Sequence, residues 1–226
     1  MDEIKKKSNP IIEVINDRRS IRDYTPKEVS EEDLELILES ARQAPSGENA
    51  QPWRFIVVRD QKSKEFLAQV SKNGSGRRFT GEFLSKQMQA RFTALQDPEK
   101  RKKIFKKLTS GSVSAFVSQA DLILIVCGKK DVWDTPYDCS AAIENILLAV
   151  SDLKLGSCWV IAPVIDVRDE IKIKEYFDIP DDLKVVSIFP IGYPSRIPNV
   201  RPRIPLEKLV YKEKYGNFYY KQEEGK

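Results

Sequence analysis

The chain contains no histidine. That excludes Ser-His-Asp and Cys-His nucleophilic catalysis, histidine-ligated metal centres and histidine general bases. Any chemistry must rest on Asp, Glu, Lys or Tyr, or on a bound cofactor. Cysteine is scarce: Cys127, Cys139 and Cys158 are odd in number and widely spaced. They form neither a disulfide framework nor a zinc knuckle, and read as buried small side chains in a reducing cytoplasm. No stretch approaches the roughly 18 apolar residues that span a bilayer. The best run, DLILIVCG at 121–128, is strand-length. The opening MDEIKKKSNPIIEVI is charged and lacks the apolar centre of a secretory signal, so the expected location is cytoplasmic, without a membrane partner. Charge of one sign is also lacking: 38 basic residues face 34 acidic ones, and the net +4 gives no case for a nucleic-acid partner. There is no G-x-G-x-x-G after a strand and no G-x-x-x-x-G-K-[ST], so an anion would be held by neither a Rossmann nor a P-loop device.

What is present suits one large domain: 226 residues, 41% hydrophobic and 32% charged. Pro10 to Asp17 predicts a short helix with Pro at its start. SEEDLELILESARQA, 30–44, predicts another, with Ser30 as cap, Asp33 three residues on, and an apolar stripe of Leu34, Ile37, Leu38 and Ala41. WRFIVVRD, ADLILIVCG, SCWVIA and LKVVSIFPIGYP have the content of strands. Pro163 should stop the third of these. YDCSAAIENILLAVSDLKLG, 137–156, predicts a long helix ending at Gly156, with Tyr137 and Asp138 placed to cap it. DVRDEIKIKEYF is helical in pattern. Residues 62–118 are dense in Lys and Arg, and Gly74, Gly76 and Gly81 break the stretch. Helices are expected near 62–71, 82–94 and 98–108, with mobile loops between them. No internal repeat is found.

The chemistry points to the arginines. Arg18, Arg19 and Arg22 fall within five residues, where a helix gives way to an extended segment, and Ser20 adds a hydroxyl and a backbone N–H. Arg201 and Arg203 flank Pro202, and in extended chain both would point the same way. Guanidinium groups suit bidentate phosphate contact. The two clusters either converge on one phosphate or lie as separate solvated runs; spacing alone leaves both open.

RRSIRDYTPKEVSEEDLELILESARQAPSGENAQPWRFIVV, 18–58, resembles the opening of the FMN-dependent nitroreductase family. The resemblance continues in order through AAIENILLAVSDLKLGSCWV, IPDDLKVVSIFPIGYP and RPRIPLEKLV, leaving only about 62–118 unmatched. It implies an α+β, three-layer fold with a central, mostly antiparallel sheet flanked by helices. It also implies an intertwined homodimer with FMN at the subunit interface. On the same resemblance Arg18, Ser20 and Arg203 would bind the flavin phosphate and ribityl chain, with Arg19 and Arg201 nearby, and Arg22 would lie beside N1 and O2. Pro45, Ser46, Gly47 and Asn49 would reach the flavin from the other subunit. Ile161 and Ala162 would offer backbone N–H groups near N5, where many family members have glycine. A fixed cation beside N1 stabilises anionic reduced flavin.

Within the family, APSG, Pro163 and FPIGYPS resemble the deiodinase-like branch. That branch places a threonine hydroxyl on N5 and grips its amino-acid substrate with Glu, Tyr and Lys. Positions 161 and 162 carry no hydroxyl and 62–118 shows no such grip, so iodotyrosine is not the expected substrate. The expected organisation is a single domain, 1–226, with 62–118 a lid insertion and 200–226 a dimer-wrapping tail. Phe79, Phe83, Phe92 and Phe105 either stack on a planar substrate or pack the lid helices. Trp53 and Trp159 are expected in the core. The implied activity is ping-pong hydride transfer from NADH or NADPH, through FMN, to a nitro-aromatic, quinone or similar planar acceptor. No side chain serves as catalytic nucleophile or base, and no metal is needed. The alternatives are a reductive dehalogenase or flavin-fragmenting relative, and a flavin-binding storage or sensor protein without enzymatic activity.

Overall fold

The structure, a computed structural model, describes residues 9–220; the expectations for 1–8 and for the end of the tail, 221–226, lie outside them. β1 (Trp53–Val58), β2 (Leu122–Lys129), β3 (Gly156–Ser157) and β4 (Leu183–Gly192) form one sheet in the order β1-β2-β4-β3. All its ladders are antiparallel. β2 runs through the middle, pairing Trp53 with Gly128 on one side and Leu122 with Ile191 on the other. Its side chains alternate between two cores. Leu122, Leu124 and Val126 face α2 (Glu31–Arg42) and α6 (Thr135–Asp152), together with Trp53 and Phe189. Ile123, Ile125 and Cys127 face α3 (Gln61–Glu82) and α7 (Val167–Tyr176), together with Leu67 and Ile173. Burial on both faces explains why β2 reads as an unbroken apolar run rather than an alternating one. The three layers are those expected.

α1 (Pro10–Asp17) is capped by Asn9, whose side chain accepts from the Ile12 N–H at 3.1 Å. The Ser30 hydroxyl accepts from the Asp33 N–H at 3.0 Å, so α2 begins where a capping residue three positions before an acid predicts.

Glycine is where pattern and structure part. α3 continues unbroken to Glu82, through Gly74, Gly76 and Gly81, instead of ending near 71. A Cβ at Gly74 would collide with the Ala162 carbonyl oxygen, and one at Gly76 would lie 2.8 Å from that of Thr109. Two of these glycines are therefore points of close backbone approach rather than breaks. α4 (Lys86–Thr93) and α5 (Pro98–Thr109) follow, and a 3₁₀ segment at Ser112–Gln119, not anticipated, leads into β2. α6 stops at Asp152, with Lys154 in the left-handed region (φ 59°). Gly156 therefore does not end the helix: it opens β3, and a Cβ there would meet Ile21 at 2.7 Å. SCWVIA is strand only at Ser157, rejoining the sheet at Val160, whose N–H and carbonyl pair with Ile188 at 3.1 Å. Pro163 lies within a short 3₁₀ turn, Ala162–Val164.

Candidate functional site

The site begins where α1 ends. The Arg18 N–H still bonds the Val14 carbonyl at 3.0 Å, but its ψ of 130° sends the chain out extended. That segment lies along β3: Ser20 bridges Ser157 in parallel, and the Ile21 N–H donates to the Ser157 carbonyl at 2.9 Å. Ile21 fills the space that Gly156 leaves, which fixes the phase of the residues around it. Arg18, Arg19, Ser20 and Arg22 are thereby presented to one cavity of about 620 Å³. Arg201 and Arg203, from the far end of the chain, line the same cavity. The two arginine clusters, far apart in sequence, share one space.

The charge there is one-sided. Five guanidinium groups line the cavity with one carboxylate, Glu144, whose Oε1 stands 3.9 Å from Arg18 Nε at a partly exposed position. Arg201 and Arg203 make no ion pair among the described residues. Arg19 Nη1 donates to the carbonyls of Asn16 at 2.5 Å and Arg18 at 2.8 Å, yet its Nε–H is buried without a partner. Ser157 Oγ, in the adjoining cavity beside Arg18 and Arg19, is likewise buried and unpartnered. Arg22 lies over the ring of the buried Phe116, 5.8 Å from its centroid, which ties this wall of the site to the segment after α5. Clustered cations with open donors and a buried unpaired N–H suit a multiply charged anion such as a phosphate monoester. The donor set therefore fits a mononucleotide cofactor.

Burial keeps the nearby phenol and thiols in their neutral forms. Burial pushes the Tyr24 phenol far above its ordinary range, and its hydroxyl lies 3.0 Å and 3.2 Å from the carbonyls of Ile21 and Pro190. Burial likewise raises the Cys158 thiol, with Arg22 and Arg18 pulling the other way. Cys127 and Cys139 are pushed up to about 12, chiefly by burial. All three cysteines are free and buried, as the sequence suggested. Among the described residues no His, Cys, Asp or Glu cluster could hold a metal ion.

The loop carrying Pro45, Ser46, Gly47 and Asn49 does not join that cavity. It folds over the start of α6, where the Gly47 N–H donates to Asp138 Oδ1 at 3.1 Å and the Gln51 N–H to Ser46 Oγ at 3.1 Å. Glu48, Asn49 and Gln51 adopt φ values of 51°, 57° and 45°. Such left-handed residues are held only by a surrounding framework. Asp138 supplies part of it, and this corrects its expected role: Asp134, not Asp138, occupies the N-cap position, and Asp138 points into the loop with Oδ2 buried and unpartnered. The signal was in the sequence, since Asp138 stands four residues before Ala142 on the buried stripe of α6, where a carboxylate is out of place.

Ile161 and Ala162 also line neither of these cavities. Ala162 is buried against Gly74, Ile161 is exposed, and neither N–H donates to a protein acceptor among the described residues. Trp53 is in the core as expected, whereas Trp159 is 38% exposed and reaches the core only through a tilted contact with Phe189 at 6.0 Å. Phe83, Phe92 and Phe105 pack on one another at 4.6 and 4.7 Å, closing the α3–α4–α5 segment. Glu144 lines the arginine cavity, Phe116 lies beneath Arg22 and Ser157 lines the adjoining cavity; none was singled out from sequence, and for Phe116 no local pattern marks its place.

The family model described as "Nitroreductase family" matches residues 15–193. A protein of Archaeoglobus fulgidus named "Putative NADH dehydrogenase/NAD(P)H nitroreductase" is 33% identical over 190 residues, covering 81% of this chain and 85% of its own. An iodotyrosine deiodinase of Thermotoga neapolitana is 27% identical over 201 residues, covering 89% and 95%. A crystal structure of oxidised iodotyrosine deiodinase bound to FMN and 3-iodo-L-tyrosine superposes with a TM-score of 0.68 at 25% identity, covering 92% of this chain and 100% of that one. Family model, fold and ordered segments agree: this chain belongs to the nitroreductase family.

Proposed function

We propose that the chain is an FMN-dependent oxidoreductase that takes electrons from NADH or NADPH and gives them to a nitro-aromatic, quinone or similar planar acceptor, alternating at one site. The observation that carries this reading is the cavity in which Arg18, Arg19, Arg22, Arg201 and Arg203 converge with almost no balancing acid. It is supported by the relatives, among them the NAD(P)H nitroreductase named above and the deiodinase bound to FMN. Bound FMN supplies the hydride chemistry, which is why a chain without histidine suffices.

The protein's own residues bind and orient. Arg18, Arg19, Arg201 and Arg203 neutralise the phosphate, and Ser20 adds a hydroxyl to the same cavity. Arg22, seated on Phe116, is a cation fixed at the wall nearest the α3–α5 segment and suits the pyrimidine edge of the ring. Ile161 and Ala162 offer unpaired N–H groups. Asp138 holds the 45–49 loop, which stands away from the arginines of its own chain. A homodimer would bring that loop to the partner's cavity. The tail from residue 200, with Ile204, Leu206 and Leu209 more than half exposed on its own chain, would wrap the second subunit. Within 62–118, α4 and α5 form the part able to cover the substrate. No helix among the described residues is long and apolar enough to cross a membrane, and three free buried thiols suit a reducing cytoplasm.

Anaerobic addition of NADH or NADPH to the purified yellow protein tests the activity. Bleaching of the flavin bands within seconds, and recovery on adding 1,4-benzoquinone, is expected. Flavin that stays oxidised with both donors would leave the non-enzymatic flavin-binding reading in its place.

A further inference from the structure

The chain's positive charge is not spread evenly. Residues 83–111 hold eight basic residues (Lys86, Arg91, Lys100, Arg101, Lys102, Lys103, Lys106 and Lys107) against Asp97 and Glu99, a net +6. The whole chain carries +4, so everything outside this segment sums to −2. Six of the cations are on α5 alone, and none of those six makes an ion pair among the described residues. Both acids sit at the start of α5, where Asp97 caps it by accepting from the Glu99 and Lys100 N–H groups at 3.0 and 3.1 Å, leaving the cations from Arg101 onward in excess.

This basic helix packs on the segment that leads to the site. The triangle of Phe83, Phe92 and Phe105 locks α3, α4 and α5 together. The last turn of α5 rests on α3 at Gly76, two residues from Gly74, where α3 touches Ala162. The segment after α5 then carries Phe116 beneath Arg22. α5 is thus a cationic face joined through the segment after it to the Arg22 wall of the cavity, and none of its six cations is spent on an ion pair among the described residues.

NADH and NADPH present the same nicotinamide and the same pyrophosphate; they differ in one phosphate on the adenosine ribose. A protein that selects NADH places a carboxylate on the free 2′-hydroxyl, whereas one that selects NADPH places cations there. That phosphate adds about −1.5 to −2 charge at neutral pH. Resting on the proposed reductase activity, we infer that α5 is a docking site for the 2′-phosphate of NADPH, with Lys102, Lys103 and Lys106 its principal contacts, and that NADPH is the preferred electron donor.

The test compares the holoprotein with the triple variant Lys102→Gln/Lys103→Gln/Lys106→Gln. All three side chains are exposed and lie outside the flavin cavity, so fold and flavin content should not change. Stopped-flow reduction should favour NADPH over NADH by about tenfold in apparent affinity, a preference that falls to near parity in the variant while NADH is unaffected. Raising the salt concentration should slow NADPH more than NADH, since exposed charges are screened. Independently of turnover, calorimetry should show adenosine 2′,5′-bisphosphate binding the wild type about tenfold more tightly than 5′-AMP, and losing that advantage in the variant. Equal donors in the wild type, or a NADPH preference that survives the variant, would overturn the inference. Equal binding of the two adenosine nucleotides would mean a general polyanion surface and would overturn it too. Reduction by neither donor would sink the activity itself, and calorimetry would still decide the phosphate site.

Discussion

The sheet and the α4–α5 segment are built by opposite means. In the sheet, Leu122 through Cys127 are fully buried, and two cores press on β2 from both faces. In the segment, Leu84 is 84% exposed, Phe105 is 42% exposed, and three phenylalanines do most of the packing. The arginine cavity is laid along β3, on the first kind of structure; the surface proposed to meet substrates is on the second. A cofactor site needs one geometry, while a cover over changing ligands needs a surface that opens at low cost. The dividing line runs through α3, whose first turns bury Leu67, Ala68 and Val70 and whose far end is exposed.

Breaking the body should cost far more than breaking the cover. Phe189→Ala removes a fully buried ring shared by β4 and α6, and should lower unfolding free energy in urea by about 3–5 kcal/mol. Phe92→Ala removes edge contacts at 4.6 and 6.4 Å in the segment, and should cost about 0.5–1.5 kcal/mol. Similar losses at the two positions would mean that the segment is part of the cooperative core.

The glycines of α3 sharpen the same boundary. Gly74→Ala forces a methyl group into the Ala162 carbonyl, and should destabilise by about 1–3 kcal/mol while slowing flavin reduction through displacement of 161–162. Gly81→Ala meets nothing within 4 Å and should stabilise by about 0.4–1 kcal/mol, read as a small rise in Tm. A neutral Gly74→Ala would show that the contact with Ala162 is loose.

Asp138 should change function as well as stability. Asp138→Asn keeps an acceptor for the Gly47 N–H and should retain flavin. Asp138→Ala leaves that N–H without its partner, at about 1–3 kcal/mol, and should loosen the 45–49 loop and raise the FMN dissociation constant. Equal flavin affinity in both variants would remove the loop from the site.

Much of the body was legible because its signals are local. Ser30 followed by acids starts α2, and the β-branched runs of β1, β2 and β4 read as strands. The arginines were legible as chemistry through their density in five residues. That 201 and 203 return to 18–22 depends on the whole chain's path: spacing left it open, the resemblance implied it, and the structure shows both clusters lining one cavity. The errors share one cause. Gly74, Gly76 and Gly156 look like punctuation, yet each serves another segment's backbone or side chain. Asp138 looked like a cap because acids cluster at helix starts, but its partner lies in a loop 91 residues earlier. Tertiary demands on a residue leave no trace in its neighbours.

The central claim is that the converging arginines hold the phosphate of FMN, and titration of FMN into flavin-stripped protein tests it most directly. Quenching of FMN fluorescence should saturate at one flavin per chain, and Arg203→Ala should weaken binding at least about tenfold, as expected for losing a charge-assisted phosphate contact. Riboflavin, which lacks the phosphate, should bind the wild type and Arg203→Ala alike. An absence of quenching, or FMN affinity unchanged by Arg203→Ala, would contradict the account.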